Sequence, residues 1–115
     1  MAGGALSGAA IGLFFHVEGW MGGYGSFRRR MVRLGHIAMF GLGILNVLLA
    51  LSLSARPIPE AYIPFASAGF LAGAIAMPAC CFLTAWRPSF RHLFPIPVVA
   101  ILTGLAGLIG GWMRA

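Results

Sequence analysis

Charge is what this chain lacks most. Only 9% of its 115 residues are charged, lysine is absent, and the two acidic residues are Glu18 and Glu60. An ordinary soluble domain carries about 25% charged residues, so this chain has too little polar surface to keep its apolar side chains in water. Cysteine is scarce as well. Cys80 and Cys81 are adjacent, which excludes both a CxxC pair and the spaced ligands of a zinc site. No serine, cysteine or carboxylate constellation supports hydrolysis or group transfer, so no independent catalytic activity is expected. A solvated basic domain is also missing, which removes nucleic acid as a partner. The formal charge of +6 therefore reads as a topology signal first and as contact with anionic lipid second.

What fills the chain instead is apolar helix. Four stretches, Ala5–Gly22, Met31–Ser54, Ile63–Trp86 and Phe94–Met113, occupy nearly all of a sequence that is 60% hydrophobic, with a mean hydropathy of +0.93. A bilayer core of about 30 Å needs about 20 helical residues, so each stretch is long enough to cross. Membrane strands would be shorter and would alternate polar with apolar. These runs are continuous and rich in Ala, Leu, Gly and Ile. The expected fold is an all-α membrane protein, one transmembrane domain over 1–115. Its connections are short: Ala55–Pro64 holds Pro57, Pro59 and Pro64, and the last is Arg87–His92. Such loops make consecutive helices antiparallel, which points to an up-down four-helix bundle.

Arginine sets the expected orientation. Arg28, Arg29, Arg30 and Arg33 flank the first loop and Arg87 and Arg91 the third, while Arg56 and Arg114 fall on the other side. The bias puts loops one and three in the cytoplasm and both termini outside, in a membrane of the bacterial inner kind. Trp20, Tyr24, Trp86 and Phe90 at one boundary, and Tyr62 and Trp112 at the other, fit interfacial belts. No basic residues precede the first apolar run, so it does not read as a signal peptide.

The glycines fall in stripes: Gly4, Gly8 and Gly12 in the first helix, Ala66, Gly69 and Gly73 in the third, and Ala100, Gly104, Gly107 and Gly111 in the fourth. Small residues let helix backbones approach closely in lipid. The plain reading is helix packing, and the sharper one is room for a flat cofactor. At the same spacing the first stripe leads to His16, and His36 lies at a similar expected depth in the antiparallel second helix. Two imidazoles on facing helices suit the iron of a haem b, with Gly12 and Gly43 clearing space and Arg28, Arg29, Arg30 and Arg33 near the propionates. That layout is similar to the general plan of membrane b-type cytochromes over Ala5–Ala50. The alternative is that each histidine simply hydrogen-bonds across helices.

Other residues could also carry chemistry. Glu18 is the lone acid in an expected span, either paired with an arginine or part of a proton path with Asn46. Met77, Cys80 and Cys81 could offer soft ligands to copper(I) or merely fill space. His92 is a possible third ligand or an interfacial loop residue. Pro78 should kink the third helix. The functional expectation is a small subunit of a larger membrane complex, respiratory or otherwise electron-transferring, with a candidate haem b site. Its alternatives are a cofactor-free accessory subunit and, more remotely, a small proton or ion transporter working as an oligomer. Partners are the bilayer and other membrane subunits or further copies of the chain.

Overall fold

Where each helix starts and stops follows from a few capping groups. The computed structural model describes residues 1–115 and contains four α-helices and no strand: α1 (Ala2–Phe15), α2 (Phe27–Ala55), α3 (Ile63–Trp86) and α4 (Pro95–Arg114). The bounds of α3 are those expected, and α4 is shifted by a residue. The start of α2 moves back from Met31 to Phe27, because the Ser26 hydroxyl accepts the Arg29 backbone N–H at 3.2 Å and caps the helix there. Arg28, Arg29 and Arg30 therefore belong to the first turn of a helix.

The larger correction is to the first helix, which ends at Phe15 rather than Gly22. Met21, Gly22 and Gly23 all have positive φ, at 55°, 88° and 95°. A helix cannot run through that segment, and only glycine adopts such angles without steric cost. The chain makes a single 3-10 turn at Trp20–Gly22 instead. Three helical segments remain long and apolar enough to cross a membrane: α2 and the runs Glu60–Trp86 and Pro88–Arg114 that contain α3 and α4. Fourteen residues of α1 reach only about 21 Å.

Consecutive helices pack antiparallel, each seam built on glycine. In α1, Gly4 lies under Phe40 and Gly8 under His36, while Gly43 of α2 lies beside Met1. Gly35 of α2 receives Cys81 and Phe82 of α3. The α3–α4 seam is the tightest: a Cβ on Gly69 would stand 2.5 Å from the Gly104 Cα and 2.6 Å from the Ala100 carbonyl oxygen, so the backbones themselves touch. Leu49, Ile58, Ala66, Phe70 and Leu108 form the buried core, with Leu53, Tyr62 and Trp112 against it. At that end the chain clasps itself. The Arg56 guanidinium donates to the Trp112 carbonyl and the Trp112 indole N–H donates to the Arg56 carbonyl, each at 3.4 Å.

The expected four-helix bundle does not close. α2 meets α3 along Gly35, Leu42, Asn46 and Leu49, meets α1 through Arg29, His36 and Phe40, and turns Leu45, Leu48 and Ser52 toward an open groove shared with Leu105, Leu108 and Trp112 of α4. At 100° per residue those last two sets point to opposite sides of the line facing α3. α1 and α4 thus lie on opposite faces of the α2–α3 pair, and the molecule is a thin layer with extents of 54 × 27 × 16 Å. Because α1 begins level with Gly43, it covers only the arginine-rich half of α2.

Candidate functional site

The two helical histidines do not meet. His36 lays its ring over Gly8: a Cβ there would stand 2.5 Å from the imidazole Cε1. Its Nδ1 is 3.1 Å from the Ser7 hydroxyl, which also donates to the Gly4 carbonyl, and the ring stands edge-on to Phe40 at 5.3 Å. His16 is the C-cap of α1 and is exposed. Eight residues separate Gly8 from His16, about 12 Å of helix rise, so the imidazoles stand at different levels. The space expected over the glycines is distributed differently too. Gly43 is filled by the Met1 side chain, 2.8 Å from its notional Cβ, whereas Gly12 has nothing within 4 Å and opens outward. Across this seam the imidazole occupies the clearance that glycine provides, and a haem iron held by both rings does not fit the geometry.

The arginines expected near propionates are divided among separate tasks. Arg29 is wholly buried, at 0% exposure. Its guanidinium donates to the carbonyls of Phe15, Val17 (3.2 Å) and Glu18 (3.4 Å). It sits over the rings of Tyr24, Phe15 and Trp20 at 3.8, 4.4 and 5.4 Å. The Tyr24 hydroxyl donates to the same Phe15 carbonyl at 2.9 Å. Taking an ion out of water costs several kcal/mol. Here carbonyls at the negative end of a helix and three electron-rich ring faces replace that water. Arg29 is therefore the cap that ends α1. Its Nε alone has no partner. Arg28 is also engaged, its Nε donating to the Ala85 carbonyl at 3.1 Å near the end of α3. Arg30 and Arg33 are exposed beside a groove with Leu34 and Ile37.

The remaining candidates are scattered. Glu18 is exposed, and its backbone carbonyl rather than its carboxylate meets Arg29. Cys80 and Cys81 are buried and unpaired, with Cys81 packed on Gly35, and Met77 lies half-buried on the same helix. His92 is exposed in the 3-10 turn Pro88–Leu93. No three His, Cys, Asp or Glu side chains come together as a metal-holding group. Pro78 is buried within a continuous α3.

A groove of about 240 Å³ with two polar residues lies between the second half of α2 and the first turns of α3, lined by Asn46, Leu49, Ala50, Leu53, Ser67 and Leu71. The Asn46 amide donates both to the Leu42 carbonyl at 2.8 Å and across to the Phe70 carbonyl at 3.3 Å. Its carbonyl oxygen and the exposed Ser67 hydroxyl take no part in these bonds. The groove lies just past the level of Met1, which sits beside Gly43. The sequence singles out Asn46 as the strong polar candidate deeper in the second helix, but Ser67 and Ser7 are missed. Ser7 was findable from the antiparallel register that sets Gly4 against Phe40 and Gly8 against His36. Ser67 gives no signal until α2 and α3 are in register.

No protein-family model, curated protein or solved structure matches this chain. The functional reading therefore rests on the geometry above.

Proposed function

We propose that this protein is a cofactor-free accessory subunit of a larger membrane assembly, and that the α2–α3 groove below α1 receives a helix of a neighbouring subunit. The observation carrying this reading is the Asn46–Ser67 pair: an amide oxygen and a hydroxyl inside membrane-length helices, lining one open groove whose other residues are apolar. A polar group facing hydrocarbon is stabilised by a partner helix that hydrogen-bonds to it. The arginine-rich end, by the charge bias of its loops, faces the cytoplasm of a bacterial inner membrane.

Photo-crosslinking in native membranes tests this. A photoreactive residue at Leu71 in the groove should give one discrete protein adduct, and the same probe at Leu102 on the outer side of α4 should give none. Ser67→Leu and Asn46→Leu should each weaken the Leu71 adduct. Only diffuse lipid adducts at both positions would overturn the reading. An absorption spectrum of purified protein is the second check. A Soret band lost in both His16→Ala and His36→Ala would replace the accessory role with a redox one.

A further inference from the structure

The run Arg28-Arg29-Arg30, with Arg33 beyond it, looks uniform in the sequence and is divided in the fold. Two of the four side chains are committed to carbonyls: Arg28 to Ala85, and Arg29 to Phe15, Val17 and Glu18. Arg30 and Arg33 are exposed and neither is engaged by a carbonyl or a carboxylate. They are three residues apart on one face of α2. Arg33 is steadied by the Phe15 ring, 5.5 Å from its guanidinium carbon.

Below them the same face continues through Leu34, Ile37, Gly41 and Ile44, all exposed and on the side of α2 turned away from α3. At Gly41 nothing lies within 4 Å of where a Cβ would be, so this stripe dips in its middle. Two free guanidiniums at the end of a helix too long for the bilayer core, above an apolar lane with a notch, match one ligand chemistry: an anionic head on a hydrocarbon chain. Guanidinium binds phosphate through two parallel N–H bonds, and polybasic clusters at membrane boundaries attract acidic lipids.

We propose that Arg30 and Arg33 hold the phosphate of one anionic phospholipid, whose acyl chain lies along Leu34, Ile37, Gly41 and Ile44. The site stands apart from the Asn46–Ser67 groove, and the two readings can fail separately.

The experiment uses the full chain in nanodiscs of phosphatidylglycerol and phosphatidylcholine, with lipid retention followed by native mass spectrometry during delipidation. The wild type should keep a phosphatidylglycerol molecule. Arg30→Gln with Arg33→Gln should lower that retention about tenfold, as expected for loss of a charge-assisted bidentate contact. Arg87→Gln with Arg91→Gln, at the α3–α4 turn, should leave it unchanged. Gly41→Phe keeps both guanidiniums but fills the notch, and should also lower retention; it tests the same claim if the double arginine variant fails to fold. Inorganic phosphate should not displace the lipid. Unchanged retention in both the double variant and Gly41→Phe overturns the proposal. Equal loss in the Arg87/Arg91 variant overturns it in favour of bulk surface charge. Displacement by inorganic phosphate overturns it in favour of a simple anion site.

Discussion

Arg29 shows how a single side chain sets the shape of this molecule. Wholly buried, it gathers the last carbonyl of α1, at Phe15, and those of Val17 and Glu18 just beyond it under three aromatic rings, and so holds α1 against α2. Arg29→Met removes the buried guanidinium's hydrogen bonds to three carbonyls and should cost about 2–4 kcal/mol, the range for losing charged hydrogen bonds. Amide exchange should then quicken across Phe15–Gly19 while α3 and α4 stay protected. Arg30→Met, on an exposed side chain, should leave stability unchanged within error. The same scale holds the histidine result. Gly8→Ala would push the His36 ring off α1 and break its bond to Ser7, a change readable as a shift in the imidazole NMR signals. The four arginines were legible as a cluster, but their separate tasks were not. Composition counts charge alike, whereas the tasks depend on which carbonyls each side chain reaches.

At the scale of the element, the seams divide into tight and open. The α3–α4 contact is backbone against backbone at Gly69 and Gly104. Gly69→Ala should therefore force the helices apart and destabilise the protein by about 1–3 kcal/mol, as overpacking does. Gly12→Ala meets nothing within 4 Å and should be neutral or stabilising by up to about 1 kcal/mol through helix propensity. Unfolding in mixed micelles compares the two directly. The small-residue stripes of α3 and α4 could be read straight from the spacing. That of α1 was half legible: Gly4 and Gly8 do pack on α2, but Gly12 does not. The end of α1 was not legible. An apolar run to Gly22 looks like one span until a distant arginine and three positive-φ residues interrupt it.

At the scale of the whole molecule, the open layer of helices has a topology that labelling can check. In sealed vesicles, His16→Cys and His92→Cys should react with a membrane-impermeant thiol reagent from one side, and Glu60→Cys from the other. The buried Cys80 and Cys81 should remain silent in the folded protein. Labelling of His16→Cys and His92→Cys from opposite sides would break the antiparallel order on which the groove and the lipid lane both depend.

Hydropathy, arginine placement and glycine spacing by themselves determined that this is a helical chain with membrane-length segments and close helix seams. Those properties are local, set by whether about 20 consecutive residues prefer hydrocarbon to water. Rotation and level were decided only by tertiary structure: that α1 ends at Phe15, that His36 covers Gly8 while His16 stands at the helix end, and that α1 and α4 take opposite faces. Each depends on a contact between residues far apart in the chain, such as Arg29 with Phe15 or Gly69 with Gly104. A one-dimensional pattern states which face of a helix is small or polar, and packing alone chooses what that face meets.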